Sequence, residues 1–183
     1  MQKNKPYIII TGGTRGLGLA TALYLSKLEW NLIIIDISKK ASQVYKESKD
    51  LNEVRKKLTN NNIVDFYFCD LSIEKNVKTI FNKIKQKYRR IDGLVTFAGG
   101  DIKGRDKNAA GGKAKNNNLF IDKKDFETIF NRNFYTTYHT VKHCIPLMKK
   151  NLSGRIVTVS SILATFGTEF EFAYSSSKSN IIH

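Results

Sequence analysis

The sequence predicts an α/β fold in which a doubly wound parallel sheet forms the middle of a three-layer α/β/α arrangement. Short, nearly continuous apolar runs alternate with longer segments of helical periodicity. Such runs are typical of strands that are covered on both faces, and the alternation indicates parallel strands joined by helices. At 183 residues the chain is long enough for one domain over 1–183 and short for two.

Each predicted element follows from its local pattern. The apolar runs that predict strands are 7–11, 32–36, 63–68, 93–97 and 155–160. The helical segments between them are 17–28, the charged stretch 41–58, 73–88 and a long segment from 125 to about 151. In the third of these, Val77, Ile80, Phe81 and Ile84 recur at helical spacing and leave lysines on the opposite face. Strands and helices in this order imply right-handed crossovers.

Composition limits the classes of function. The formal net charge is +15, but the lysines are spread along the whole chain and accompany no nucleic-acid recognition motif. No segment approaches the run of about 20 apolar residues that a membrane helix needs, and the N-terminus does not resemble a signal peptide. Cys69 and Cys144 lie far apart without metal-ligand spacing. We therefore expect a cytoplasmic protein with reduced thiols that binds neither nucleic acid nor membrane.

One segment interrupts the alternation. Residues 100–118 form a basic insertion rich in glycine and asparagine with few apolar groups. A loop of this length in a compact domain is either a functional lid or disordered, and the sequence leaves both open.

The sequence ITGGTRGLG lies between the first strand and the first helix. In that context Gly12 permits a tight turn, Gly16 lets the backbone approach a pyrophosphate, and Gly18 lets the helix pack closely on the sheet. The helix N-terminus then offers unpaired N–H groups and a positive dipole end to the phosphates. Glycines also serve tight turns for structural reasons alone. In this setting they predict a Rossmann-type dinucleotide-binding domain.

The second strand ends at Asp36, which lies 24 residues after Gly12. An acid at this point can accept both ribose hydroxyls of an adenosine and repels a 2′-phosphate, whereas the alternative is an ordinary turn aspartate. Arg15 favours the opposite preference if it meets a 2′-phosphate, although it could equally lie beside the pyrophosphate. We therefore predict NAD(H) as the preferred cofactor and leave NADP(H) open.

These motifs resemble those of the short-chain dehydrogenase/reductase family in its compact single-domain form, over essentially all 183 residues. TGGTRGLG is similar to that family's Thr-Gly-x-x-x-Gly-x-Gly loop. CDLS implies that Asp70 contacts the adenine amino group, although Asp70 could instead be a loop residue near a helix that Ser72 caps. TFAGG stands where the family usually has Asn-Asn-Ala-Gly, with Phe97 in place of the second asparagine. The resemblance implies that the residues holding the cofactor are Thr11, Gly12, Thr14, Arg15, Gly16, Leu17, Gly18, Asp36, Asp70, Leu71, Ala98, Gly99, Tyr174 and Lys178.

The resemblance also implies four catalytic residues. Asn133 lies 13 residues before Pro146, and Ser161 lies 13 residues before Tyr174. Tyr174 and Lys178 form the Tyr-x-x-x-Lys pair. Each of these residues has an ordinary structural alternative as a cap, a surface residue or one lysine among many, and the prediction depends on their joint order and spacing.

Elementary chemistry supports the pair. Residues i and i+4 share one face of a helix, so the Lys178 ammonium can lie beside Tyr174. A free phenol has a pKa of about 10, and a nearby cation stabilises the phenolate. Tyr174 is then a plausible general acid for carbonyl reduction or base for alcohol oxidation, with Ser161 steadying the substrate oxygen. The family implies that Asn133 binds a water that links Lys178 to solvent.

Two other groups of residues are weaker candidates for a functional site. His139 and His143 have a spacing that can bind a metal, but no carboxylate or cysteine accompanies them, so we expect interface or surface histidines and no metal. Glu169 and Glu171 precede Tyr174 and either line the substrate mouth or face water.

The chain stops five residues after Lys178, whereas the resemblance implies at least two further strands and a segment that closes over the nicotinamide. We therefore expect the sheet to lack the last strands of the full fold. Two functions stay open: an NAD(P)-dependent alcohol dehydrogenase or carbonyl reductase acting on a small molecule, and a dinucleotide-binding remnant or sensor without turnover. The resemblance implies a homodimer or homotetramer for the full-length protein.

Overall fold

The computed structural model describes residues 5–44, 46–100, 117–150 and 152–183. Its centre is a five-stranded sheet in the order β3-β2-β1-β4-β5, and every neighbouring pair of strands is parallel. The strands are β1 (Tyr7–Thr11), β2 (Asn31–Asp36), β3 (Val64–Phe68), β4 (Gly93–Thr96) and β5 (Arg155–Thr158). The predicted strands are confirmed to within two residues at each end.

Helices connect the strands. They are α1 (Gly16–Lys27), α2 (Leu51–Leu58), α3 (Glu74–Lys87), α4 (Lys123–Phe130), α5 (Thr136–Lys149) and α6 (Phe172–Ile182). Short 3₁₀ turns cover Lys39–Gln43 and Ile162–Ala164. The long helical segment predicted from 125 begins at Lys123, and a π-helical stretch at Asn131–Tyr135 joins α4 to α5. In the described part of the charged stretch 41–58, which was predicted as one helix, the structure has the end of the first 3₁₀ turn and the shorter helix α2.

The core confirms the three layers, because alternate residues of the same strand face opposite sides of the sheet. On one side Ile9 and Leu94 pack with apolar residues of α3 and α5, among them Ile84 and Met148. On the other side Ile8 and neighbouring strand residues pack with α1 and α2. The sheet is thus covered on both faces by helices in the manner of a doubly wound fold.

β5 departs from the expected burial. All four of its residues are exposed, whereas all four residues of β4 beside it are buried. The apolar composition of 155–160 predicts a strand covered on both faces, and this expectation is wrong for β5 in the described part of the chain.

The predicted insertion 100–118 lies largely outside the described residues, since only its first residue and its last two are described. In the described residues, no helix combines the length and apolar character that spanning a membrane requires.

The strand order changes direction between β1 and β4, which are neighbours in the sheet but not in the chain. Ligands of such sheets bind in the crevice outside the carboxyl ends of the strands at this point. The loops that follow β1 and β4 therefore form the candidate site.

Candidate active site

The two loops at the crevice are tied together through Thr11, the last residue of β1. Its main-chain oxygen accepts a hydrogen bond from the Phe97 nitrogen at 3.1 Å. Its hydroxyl oxygen accepts one from the Ala98 nitrogen at 3.1 Å. Phe97 thus joins the neighbouring backbone through its main chain, while its ring packs against the core on the α1 side of the sheet. The phenylalanine that replaces the usual asparagine is compatible with this connection.

The glycine loop leaves no room for side chains at two of its positions. Gly12 has a φ of 65°, and a Cβ on it would lie 3.0 Å from the Ala98 nitrogen. A Cβ on Gly18 would overlap the carbonyl oxygen of Gly12. The loop is therefore built so that main-chain atoms line its surface, and this is the arrangement that a dinucleotide pyrophosphate requires. The residues present fit such a cofactor.

Helix α1 begins at Gly16, and Arg15 at its N-cap makes no side-chain capping bond. The Gly16 nitrogen donates instead to the carboxylate of Glu47, with a distance of 2.7 Å to Oε2. The Leu17 side chain is 72% exposed, so only its main chain lies in the loop. A helix N-terminus attracts negative charge, which the Glu47 carboxylate supplies in this structure.

Asp36 lies at the end of β2 and is buried, with 4% of its surface exposed. Its Oδ2 accepts hydrogen bonds from the Thr14 nitrogen at 3.1 Å and from the Thr14 hydroxyl at 2.6 Å, while Oδ1 accepts one from the Ile37 nitrogen at 2.8 Å. Asp36, the acid predicted to bind the adenosine ribose, therefore also binds Thr14 in the middle of the glycine loop. A carboxylate can accept about four hydrogen bonds, so Asp36 can still accept a hydrogen bond from a ligand.

After β3, Asp70 turns the chain toward α3. Its Oδ1 accepts hydrogen bonds from the Ser72 nitrogen at 2.9 Å and the Ser72 hydroxyl at 2.6 Å. The alternative that Ser72 caps α3 is wrong, because Ile73 is the N-cap and makes no side-chain bond. Leu71 is buried, and its carbonyl oxygen lies 3.3 Å from Nδ1 of His139.

Asn133 lies within the π-helical stretch and is fully buried. Its Oδ1 accepts a bond from the Gly100 nitrogen at 2.9 Å, and its Nδ2 donates to the carbonyl oxygens of Gly100 and Ile129, both at 2.9 Å. The side-chain amide is thus engaged with main-chain groups, and α4 is fixed to the end of β4. A π-helical turn often marks a functional site, and here it carries the predicted helix asparagine.

Lys178 is buried, with 6% of its surface exposed, and burial lowers the pKa of its ammonium to about 8. Its Nζ donates to the carbonyl oxygen of Val159 at 2.9 Å and lies 5.8 Å from the centre of the Tyr174 ring. The hydroxyl of Ser160 donates to the Lys178 carbonyl oxygen at 2.8 Å. Helix α6 is therefore attached to the end of β5 at the lysine.

Gly99 brings the predicted catalytic residues of two helices together. A Cβ built on it would lie 2.8 Å from Oδ1 of Asn133 and 3.5 Å from Nζ of Lys178. The absence of a side chain at position 99 allows the amide of the π-helical stretch and the ammonium of α6 to approach the same main-chain segment. These groups meet at the crevice between β1 and β4.

Ser161 and Tyr174 lie on the elements that flank this crevice. Ser161 is the N-cap of the 3₁₀ turn, where its Oγ accepts a bond from the Leu163 nitrogen at 3.3 Å, and its hydroxyl proton can still be donated elsewhere. Tyr174 is half-buried in the first turn of α6, against the small cluster of Ile129 and Ala173. The tyrosine is thus partly accessible to solvent.

A polar contact fixes the start of α6. Glu171 is its N-cap, with a φ of 69°. The Glu171 nitrogen donates to the carbonyl oxygen of Asn117 at 2.7 Å, and its Oε2 accepts a bond from Nδ2 of Asn117 at 3.0 Å. The far end of the 100–118 segment is therefore joined to the helix that carries Tyr174. Glu169, by contrast, is exposed.

The histidines have structural partners. His139 contacts the Leu71 carbonyl oxygen, and Nε2 of His143 lies 3.2 Å from the Glu74 carboxylate. Among the described residues, no three His, Cys, Asp or Glu side chains are grouped as a metal site would need. Burial raises the pKa of the Cys69 thiol to about 11 and that of Cys144 to about 12, so both stay protonated at neutral pH.

The structure adds residues that the sequence did not single out. Val159 binds Lys178 through its main-chain oxygen. Every residue type has this oxygen, so the sequence does not identify the position. Glu47 and Gly100 act through contacts that span 31 and 33 residues of chain. Ser160, which binds the Lys178 carbonyl oxygen, directly precedes the predicted Ser161. The pair of adjacent serines is the sequence signal that could have identified it.

Comparison with known proteins gives consistent similarities. A family model described as short chain dehydrogenase matches residues 6–183. The chain is 29% identical over 177 residues to the 3-oxoacyl-[acyl-carrier-protein] reductase FabG of Thermotoga maritima, covering 95% of this chain and 63% of that protein. It is 30% identical over 181 residues to 3-hydroxyacyl-CoA dehydrogenase type-2 of Drosophila melanogaster, covering 95% and 64%. The chain thus spans somewhat less than two thirds of the length of these relatives.

Solved structures resemble the fold. An NAD⁺-bound xylitol dehydrogenase superposes with a TM-score of 0.76 at 24% identity, covering 100% of this chain and 63% of that one. Levodione reductase gives a TM-score of 0.77 at 21% identity, covering 97% and 62%. At these identities the likeness concerns the architecture alone.

Proposed function

The chain belongs to the short-chain dehydrogenase family, and from this membership we propose that it is an NAD(P)-dependent oxidoreductase that interconverts a carbonyl and an alcohol. The observation that carries the proposal is the approach of Asn133 and Lys178 to Gly99 at the crevice. Three residues that the sequence singled out separately meet there, on the loop after β4 and the two helices beside it. This convergence is what a shared site for cofactor and proton transfer requires.

The residues that would hold the cofactor follow β1, β2, β3 and β4 or lie on α6. Main-chain groups of the glycine loop, among them those of Gly16 and Leu17, would bind the pyrophosphate, and Asp36 would accept the adenosine ribose hydroxyls. Asp70 and Leu71 would contact the adenine, and Ala98 and Gly99 the neighbouring ribose. When bound, the cofactor supplies or accepts the hydride. The buried carboxylate of Asp36 supports NAD(H) over NADP(H), since it would repel a 2′-phosphate.

The protein's own residues carry the proton. In the reductive direction the Tyr174 hydroxyl donates its proton to the substrate oxygen, and in the oxidative direction the phenolate takes a proton from the alcohol. The Ser161 hydroxyl donates a hydrogen bond to the same substrate oxygen and orients it. The position of Ser161 as the N-cap of a short turn supports this role, since its side chain is anchored at the end of β5.

Lys178 stabilises the phenolate form of Tyr174 by its charge. With a pKa lowered by burial to about 8, the ammonium is still mostly protonated at neutral pH. One of its N–H bonds is directed to the Val159 oxygen, and an ammonium has two more to donate. These remaining donors are proposed to serve the tyrosine and the nicotinamide ribose.

Asn133 orients the helix beside Lys178. Its amide makes three hydrogen bonds with Gly100 and Ile129, so we assign it the fixing of the π-helical stretch. We further propose, as the family resemblance implies, that Asn133 binds a water that links Lys178 to solvent as a proton relay.

The relatives suggest a substrate class. The similar proteins are named as 3-oxoacyl-[acyl-carrier-protein] reductase and 3-hydroxyacyl-CoA dehydrogenase type-2. We propose that this chain acts on a 3-oxoacyl or 3-hydroxyacyl thioester. The charge of +15 supports an anionic carrier for the acyl group.

A two-step experiment tests the proposal. NADH and NADPH are first titrated into the chain, and oxidation of the bound nucleotide is then followed with acetoacetyl-coenzyme A, using Tyr174→Phe as control. Saturable binding with turnover that the control loses is the expected result. Absence of binding would refute the proposal, and binding without turnover would favour the alternative of a non-catalytic dinucleotide sensor. We further propose a cytoplasmic location, which fractionation of cells tests, and a homodimer or homotetramer for the full-length protein, which sedimentation analysis tests.

A further inference from the structure

The Glu47 carboxylate lies at the dinucleotide loop, although it comes from a different part of the chain. Its Oε2 is 2.7 Å from the nitrogen of Gly16, the first residue of α1. That nitrogen is one of the helix N-terminal donors that have no partner within the helix. A negative charge already lies, therefore, where the proposed cofactor brings its phosphates.

The segment that carries Glu47 is held in place. Nζ of Lys57 donates to the Glu47 carbonyl oxygen at 2.7 Å and to the Ser48 hydroxyl at 3.3 Å. Ser48 is buried. The Lys49 nitrogen donates to the Glu53 carboxylate at 2.7 Å. These bonds attach residues 47–49 to α2, so the Glu47 side chain reaches the loop from an anchored turn.

Two carboxylates consequently flank the same three residues of the loop. Asp36 binds Thr14 from the β2 side, and Glu47 binds Gly16 from the α2 side. Arg15 lies between these two positions in the chain and is the residue whose charge would favour a 2′-phosphate. The second carboxylate adds negative charge at Gly16, the residue next to Arg15 and two residues from the Thr14 that Asp36 binds.

We propose that Glu47 is a specificity-determining residue of this chain, whose carboxylate at the glycine loop disfavours NADP(H) relative to NAD(H). The proposal rests on the proposed function, because it concerns the cofactor of that same site. It assigns the preference to two acids, Asp36 at the end of β2 and Glu47 before α2.

The charges predict the size of the effect. A phosphate monoester carries a charge of about −1.5 to −2 at neutral pH. Two unit charges about 4 Å apart in water change an equilibrium by roughly fivefold. Neutralising Glu47 should therefore strengthen NADH binding up to about fivefold through the pyrophosphate, and NADPH binding by a larger factor, because it also reduces the repulsion of the 2′-phosphate.

The test is a fluorescence titration of NADH and NADPH into wild type, Glu47→Gln and Glu47→Ala. Glutamine keeps the size and an acceptor oxygen for Gly16, so it isolates the charge, while alanine also removes the contact. Glu29→Gln is the matched control. Glu29 lies just before the amino end of β2, whereas the site lies at the carboxyl ends of the strands, and its carboxylate pairs with Lys5 at 3.3 Å. Circular dichroism establishes that each variant is folded.

The expected result is a NADPH-to-NADH affinity ratio that rises in both Glu47 variants and stays at the wild-type value in Glu29→Gln. The rise should shrink between about 20 and about 300 mM salt, since the Debye length falls from roughly 20 Å to below 10 Å. Binding of both nucleotides with an unchanged ratio would overturn the role of Glu47 alone. Binding of neither by any variant would overturn the proposed function and, with it, this assignment.

Discussion

The carboxylate of Asp36 binds Thr14 twice, through the main-chain nitrogen at 3.1 Å and through the hydroxyl at 2.6 Å. Both residues are buried. The acid predicted to select the cofactor is therefore also a structural link between the end of β2 and the glycine loop. The two roles can be separated, because the hydroxyl of Thr14 takes part in only one of them.

We expect Asp36→Asn to lower stability by about 1–3 kcal/mol, since it weakens charge-assisted bonds to a buried loop, and to reduce the preference for NADH over NADPH. Thr14→Val removes the hydroxyl bond and should lower stability without changing the preference. Urea denaturation and nucleotide titration of both variants measure the two effects. An equal loss of preference in Thr14→Val would mean that Asp36 acts through loop shape instead of the ribose.

Gly18 and Gly167 offer a matched pair of glycine substitutions. A Cβ at Gly18 would overlap the Gly12 carbonyl oxygen, whereas nothing lies within 4 Å of a Cβ at Gly167. We expect Gly18→Ala to destabilise the fold by roughly 2–4 kcal/mol, because main-chain atoms must shift, and Gly167→Ala to change stability by less than about 0.5 kcal/mol. Thermal unfolding of both variants measures this, and equal melting temperatures would contradict the close packing of α1.

Asn133→Ala tests the buried amide. The substitution leaves two groups of Gly100 and the Ile129 oxygen without their partner, so we expect a loss of about 2–4 kcal/mol in the free energy of unfolding. Asn180→Ala is the control, because Asn180 is exposed and bonds only within its own helix, to the Ser176 oxygen at 2.9 Å. A loss no larger than in this control would show that the π-helical stretch does not depend on the amide.

The buried Lys178 predicts a pH dependence of stability. Burial lowers its pKa from 10.5 to about 8, so between these values the unfolded chain binds a proton that the folded chain has released. Stability therefore rises with pH as the solution passes above about 8. The raised pKa values of Cys69 and Cys144 act in the opposite sense above their ordinary value of 9.0.

Urea midpoints measured between pH 7 and 9 isolate the lysine, because the thiols titrate in the unfolded chain only toward the top of this range. Lys178→Met should abolish the rise, and Lys124→Met, at an exposed position of α4, should leave it as in wild type. A rise that persists in Lys178→Met would assign the titration to another group.

Local pattern was sufficient for much of the fold. Apolar runs located the five strands, and the spacing of Val77, Ile80 and Ile84 located α3, because burial imposes these periodicities directly. The alternation of elements predicted a doubly wound parallel sheet, whereas the order β3-β2-β1-β4-β5 came from the structure. The glycine loop could be predicted because main-chain segments pack so closely there that only glycine fits.

The rest depended on contacts between distant parts of the chain. No residue type marks a π-helical turn, so Asn131–Tyr135 was read as continuous helix. The contacts of Glu47 with Gly16 and of Lys178 with the Val159 oxygen involve main-chain groups, which have no sequence signature. The burial of β5 was overestimated. An apolar strand predicts that other elements pack on both of its faces, but whether they do depends on the rest of the chain.

The exposure of β5 has a consequence for the behaviour of this chain in solution. Ile156 and Val157 are 37% and 54% exposed along a strand at the border of the sheet, where unpaired main-chain groups can template a strand from another molecule. Mutual repulsion between molecules carrying a charge of +15 opposes such growth at low ionic strength. Raising the salt concentration shortens the range of that repulsion, so colloidal stability should fall with added salt while the helical circular dichroism signal is still intact.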